Sequence, residues 1–319
     1  MTDSRTSIAQ RVPLGLLAVV ALVACALGLL AGARSAPAAS KDGWIETGNS
    51  LVPLEYFQGV TSDQWRDLYF DGVFTGLYRT DSNLVEEARN VSPIPGDVNQ
   101  REGYNHIGDI TWDKREGGRV LLPLECYFPF IGNFCGTGSI GVADAETLQW
   151  RYYVKLDPAF IDKAMFAEVS PNGKLLWTSN GGLSGGHDLL AYDMSEITAA
   201  NAAPDGPLLK PVIVLPNAVP PGGITGATFY KHEFLVANQS GTLFRVWSID
   251  LNDGSHKLEI EKQVLGESEG LDIVKALGGT LHWLITPQGT GGKPPTYGDF
   301  GHSALLHFDP VHGGKGPET

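Results

Sequence analysis

Five segments of this chain share one pattern, a short apolar strand followed by a turn and a second strand. They are Gln58-Gly59-Val60-Thr61, Gly108-Asp109-Ile110-Thr111, Ala167-Glu168-Val169-Ser170, Thr225-Gly226-Ala227-Thr228 and Glu269-Gly270-Leu271-Asp272. Their anchors Val60, Ile110, Val169, Ala227 and Leu271 recur at a mean interval of about 53 residues, the length of one propeller blade with its loops. A second apolar stretch follows each anchor, as in Leu68-Tyr69-Phe70 and Leu175-Leu176-Trp177, and a third follows in most repeats, as in Leu189-Leu190-Ala191-Tyr192. Asn172-Gly173 and Asp253-Gly254 are hairpin turn signals, so the strands are expected to run antiparallel. A sandwich would match the strand content but not five similar units in register. The sequence therefore predicts an all-β, five-bladed β-propeller, with six blades as the alternative.

The last repeat offers only three evident strands. Its outer strand is expected from the N-terminal piece Gly43–Asn49, which would remove two exposed sheet edges. With 40 Gly and 20 Pro in 319 residues the chain is rich in turns, and 42% apolar residues exclude a disordered protein. A net charge of −13 excludes a binder of nucleic-acid backbones.

Residues 1–40 read as a targeting segment, and 41–319 as one propeller domain. Arg5 and Arg11 precede an apolar run from Val12 to Ala33, and Ala36-Pro37-Ala38 offers a small-residue cleavage site. The run suits a signal peptide, or an N-terminal membrane anchor given its length; Leu22-Val23-Ala24-Cys25 also looks like a lipobox. All three place the domain outside the cytoplasm, secreted or held on the outer side of the membrane. Two cysteines then remain, Cys126 and Cys135, spaced to close a small loop as a disulfide.

In a propeller the inner strand starts, and the second strand ends, at one face of the central channel. The strand starts offer Gln58, Asp109, Glu168, Thr225 and Glu269, with His106 and Glu267 slightly further out. The strand ends offer Asp71, Glu125, Asn180, Asn238 and Gln288. Nearly all are polar, and they converge on one acidic funnel. Converging carboxylates need a cation, a shared proton or a positive partner. Asp109, Glu168 and Glu269 are the expected metal ligands, and oxygen-only ligands favour calcium. Glu269 lies one residue out of register with the other two, so a bulge at Gly270 would have to re-aim it. The remaining funnel residues are the expected ligand-binding set, with His106 as the candidate catalytic base.

Other motifs carry less. Gly136–Gly141 matches GxGxxG, but no strand–helix unit surrounds it. Gly182–Gly186 matches GxSxG, but the run joins two strands as a hairpin loop would, whereas a nucleophile elbow needs a helix after it. The tryptophans Trp65, Trp112, Trp150, Trp177, Trp247 and Trp283 read as blade core.

The runs Phe57-Gln58-Gly59-Val60, Gly76-Leu77-Tyr78-Arg79-Thr80-Asp81, Tyr104-Asn105-His106-Ile107-Gly108-Asp109 and Gly266–Asp272 resemble a group of exported actinobacterial β-propeller proteins. The resemblance implies the fold and export and brings no activity with it. In architecture the chain is also similar to five-bladed calcium-dependent nucleotidases and to propeller lactonases, which implies a cation at the channel mouth; their signature motifs are not matched residue by residue. The expected function is binding of a small polar molecule or a partner loop at the funnel, by a monomer. A calcium-dependent hydrolase of the lactonase, phosphoesterase or glycosidase kind is the alternative.

Overall fold

The protein is seen here in a computed structural model that describes residues 43–72, 76–128, 132–133, 135–180, 187–274, 277, 280–287, 295–299 and 301–311. The targeting segment, Gln288 and the Gly182–Gly186 run lie outside these residues.

Five sheets form five blades. Blade 1 runs outward through Val60–Ser62, Leu68–Asp71, Leu77–Thr80 and Glu86–Asn90. Blade 2 has a split inner strand, His106–Ile107 and Thr111–Asp113, followed by Arg119–Glu125, Ser139–Asp144 and Trp150–Leu156. Blade 3 comprises Glu168–Val169, Leu175–Thr178, Leu189–Asp193 and Ile213–Leu215. Blade 4 comprises Gly226–Tyr230, Glu233–Ser240, Leu243–Ile249 and His256–Gln263. Blade 5 begins with Glu267–Ile273, Leu281–Thr286 and His302–Pro310, and takes its outer strand, Trp44–Pro53, from the other end of the domain. That strand pairs antiparallel with His302–Pro310, from Trp44 opposite Pro310 to Pro53 opposite His302. The closing strand is where the sequence places it and extends four residues further. The inner strands touch in the order 1-2-3-4-5-1, so the ring has five blades and not six.

Each repeat anchor packs into a different apolar layer. Val60 lies with Phe70, Leu284 and Leu305 between blades 1 and 5. Leu271 lies with Phe244, Trp283 and Leu306, Ala227 with Phe234 and Val236, and Ile110 with Leu122 and Leu124. Val169 packs at the edge of a cluster of Ile140, Val154, Leu176 and Leu190. Side chains alternate along a strand, so an anchor turned toward its layer leaves the residues before and after it facing the channel. This alternation positions the site.

Several local expectations change. Trp177 and Trp283 are buried, but Trp65 is 77% exposed in the first turn of blade 1, so it is not core. Glu86–Asn90 supplies the outer strand of blade 1. The Gly136–Gly141 run leads into the third strand of blade 2 and makes no phosphate loop. Cys126 and Cys135 are disulfide-bonded.

Candidate functional site

The channel is crossed by one side chain. Asp109 precedes the blade 2 anchor, is 1% exposed, and accepts backbone N–H groups from other blades, Val60 to Oδ1 at 3.2 Å and Ala227 to Oδ2 at 3.0 Å. Three of the four positions equivalent to Asp109 are glycines, Gly59, Gly226 and Gly270, and they make room for it. A Cβ on Gly270 would lie 2.4 Å from the Val60 nitrogen and 2.6 Å from Asp109 Oδ1; one on Gly226 would lie 3.0 Å from Asp109 Oδ2. Only glycine allows so close an approach. Asp109 thus ties blades 1, 2 and 4 together and divides the channel into two mouths.

At the strand starts Asp71, Asp109 and Glu125, and likewise Glu269, Glu267, Asp71 and Asp109, lie close enough for their charges to interact. Asp71 ends the second strand of blade 1 and is fully buried; no described side chain donates to its carboxyl, whose polar neighbours are the backbone N–H groups of Gly59 and of Asp71 itself. Glu125 ends the second strand of blade 2, opposite His106, whose ring lies 5.1 Å from that of Tyr127. Asn238 donates from Nδ2 to the Pro221 and Gly223 carbonyls at 3.1 and 3.0 Å, which fixes the side chain and leaves its buried Oδ1 without a donor. Asn180 likewise has a buried Oδ1 without a donor among the described residues. Gln58 donates from Nε2 to Glu269 Oε2 at 2.8 Å. Thr225 is engaged elsewhere, donating to the Ala237 carbonyl and lying 3.1 Å from the Ser268 hydroxyl.

The expected metal trio is not assembled. The bulge in blade 5 does fall between Ser268 and Leu271, and Glu269 faces Gln58 at the strand-start mouth. Asp109 spends its oxygens on backbone N–H groups, and Glu168 accepts from the Thr111 hydroxyl at 2.9 Å at the other mouth. Among the described residues no three His, Cys, Asp or Glu side chains are grouped to hold a metal ion.

Burial dominates the electrostatics. It holds the Asp71, Asp109, Glu168 and Glu269 carboxyls well above the usual range. The Asp109 charge adds to the rise at Asp71, and Glu267 adds to it at Glu269. At Asp109 the Ala227 and Val60 N–H groups oppose burial.

The opposite mouth opens into a cavity of about 620 Å³. Thr61, Thr111, Thr228, Glu168 and Asp272 line its depth, Trp112, Phe229 and Tyr230 its walls, and Lys114 and Lys231 its outer part. Asp272 accepts from the Ser62 hydroxyl at 2.7 Å and the Thr228 hydroxyl at 3.4 Å. Burial pushes its carboxyl up to about 7. The sequence reasoning above missed this ring, although its signal is in the repeats. The residue after each anchor is Thr61, Thr111, Ser170, Thr228 or Asp272, polar in all five blades.

No protein-family model and no curated protein sequence matches this chain. Its structural neighbours are β-propeller proteins. The PQQ-bound aldose sugar dehydrogenase from Streptomyces coelicolor superposes with a TM-score of 0.44 and 11% identity, over 86% of this chain and 100% of its own. A glucose dehydrogenase gives 0.47 and 9% over 81% and 99%, and a luciferin-regenerating enzyme 0.43 and 12% over 82% and 95%. At these identities the likeness is one of fold.

Proposed function

We propose that the protein is a binding propeller that takes a small polar ligand at the strand-start mouth of its channel. The observation that carries this is Asp71, a carboxyl fully withdrawn from water to which no described side chain donates, its polar neighbours being the backbone N–H groups of Gly59 and of Asp71 itself. Leaving a buried carboxyl short of donors costs about 1–3 kcal/mol. A ligand that donates hydrogen bonds or brings positive charge recovers that cost. Asn180 and Asn238, each with a buried Oδ1 to which no described residue donates, are the further acceptors we assign to this mouth. Three acceptors from three blades select donors, which means an amine, a polyol or a hydrated divalent cation such as Ca²⁺. The apolar N-terminal run and the disulfide both support work outside the cytoplasm.

The test is thermal melting of the protein with Ca²⁺, glucose, glycerol or putrescine, in the wild type and in Asp71→Asn. The expected result is a rise with at least one probe that Asp71→Asn abolishes. No rise with any probe, or a rise that survives the substitution unchanged, would overturn the assignment.

A further inference from the structure

From the cavity at the opposite mouth we infer a second binding site, for a small organic ammonium compound with an anionic tail. Its charges are arranged in depth. Glu168 and Asp272 sit at the bottom, 8% and 5% exposed, brought together from blades 3 and 5. Their hydrogen-bonding side chains are the neutral hydroxyls of Thr111, Ser62 and Thr228, and neither carboxyl has an ion-pair partner among the described residues. The Asp272 charge adds to the cost of ionising Glu168, so a positive centre placed between them is favoured over a neutral one. The walls suit the same guest. Trp112 and Phe229 present aromatic surface, which attracts an ammonium group, while the Tyr230 ring already holds the Lys231 ammonium over it at 5.0 Å.

The outer part has the opposite sign. Lys114 and Lys231 are exposed there, and neither forms an ion pair among the described residues. Two lysines over an acidic floor disfavour a polycation and attract an anionic tail. A guest with its ammonium inward and a carboxylate outward satisfies both ends. The cavity volume of about 620 Å³ lies within the range of small-molecule pockets. This site shares no residue with the mouth containing Asp71.

Four probes of one chain length separate the possibilities: ε-aminocaproate, hexylamine, hexanol and caproate. Calorimetric titration into the full protein is expected to rank ε-aminocaproate first and hexylamine second, with no heat from hexanol or caproate. Glu168→Gln and Asp272→Asn should each weaken ε-aminocaproate about tenfold or more. Circular dichroism and melting establish that both variants are folded. Should neither fold, Lys231→Ala serves instead and should weaken ε-aminocaproate while leaving hexylamine unchanged. Any amine heat that Asp71→Asn removes belongs to the other mouth, and the ε-aminocaproate binding lost in Glu168→Gln and Asp272→Asn should survive Asp71→Asn. Tighter binding of hexanol or caproate than of the amines, or no binding of either amine at millimolar concentration, would overturn the inference.

Discussion

Asp109 and Val60 lie in different blades, yet the Asp109 carboxylate accepts the Val60 N–H at 3.2 Å inside the channel. The bond adds to backbone hydrogen bonds that already pass between neighbouring blades, Gly270 N–H to the Gln58 carbonyl and Ala167 N–H to the Asp109 carbonyl, both at 2.9 Å. Through Ala227 the same side chain reaches blade 4. Asp109, which the sequence recommends as a metal ligand, is instead a brace between blades.

Asp109→Ala should therefore be among the most damaging substitutions in the channel. It leaves at least two buried N–H groups without an acceptor, at about 1–3 kcal/mol each. Urea denaturation should show a loss of about 2–6 kcal/mol. A loss below about 1 kcal/mol would mean that water replaces the carboxylate without penalty.

Gly270→Ala tests the same contact from the other side. The new methyl meets the Val60 nitrogen and Asp109 Oδ1 well inside contact distance, at 2.4 and 2.6 Å. Two backbones and a fixed carboxylate have little room to yield, so the variant should melt lower than Gly96→Ala, where a Cβ meets nothing within 4 Å. Equal melting temperatures would show that the inner strands are looser than described.

How much of this was readable beforehand depends on which force was in control. Blade number and ring closure were readable because the anchors Val60 to Leu271 must each fill an apolar layer, and burial leaves a periodic mark. The polar character of the funnel was readable for the same reason, as the complement of that mark. The grouping of the carboxylates was not. Asp109 and Glu168 hold equivalent places in the repeat, yet one bonds across the axis at the position of three glycines and the other turns to a hydroxyl, Thr111. Those choices rest on the sizes of neighbours from other blades, which no local spacing records. Asp272 follows its anchor where the other acids precede theirs, and alternation sends both positions to the channel.

The buried acids give the stability a pH dependence of definite sign. Asp272 is raised to about 7, and the groups around it are the Ser62 and Thr228 hydroxyls, the Ile273 N–H and the carboxyls of Glu168 and Asp109. Because the folded value exceeds the ordinary 3.8, the folded state keeps a proton that the unfolded chain gives up. This contribution is complete below 3.8 and is lost as pH rises through about 7. The loss is up to about 4 kcal/mol. Asp272→Asn should flatten this part of the profile, measured by urea denaturation between about pH 4 and about pH 8. An unchanged slope in the variant would assign the dependence to other groups.

Ring closure predicts the effect of shortening the chain. Removing residues through Val52 takes away most of the strand that covers His302–Pro310 and bares that edge. The shortened protein should associate or aggregate, as read by light scattering. A monomer that melts like the parent would show that the outer strand of blade 5 is dispensable.

The central claim is that Asp71 meets a ligand, and the most direct measurement is its carboxyl ¹³C resonance, assigned by its loss in Asp71→Asn. Alone, the protein should show this carboxyl still protonated well above the ordinary Asp range, because burial and the Asp109 charge hold it there. Adding whichever probe raises the melting temperature should shift the resonance, toward the ionised position when the probe is a cation. A resonance that titrates as an ordinary aspartate, or that stays still while a probe stabilises the protein, would contradict the claim.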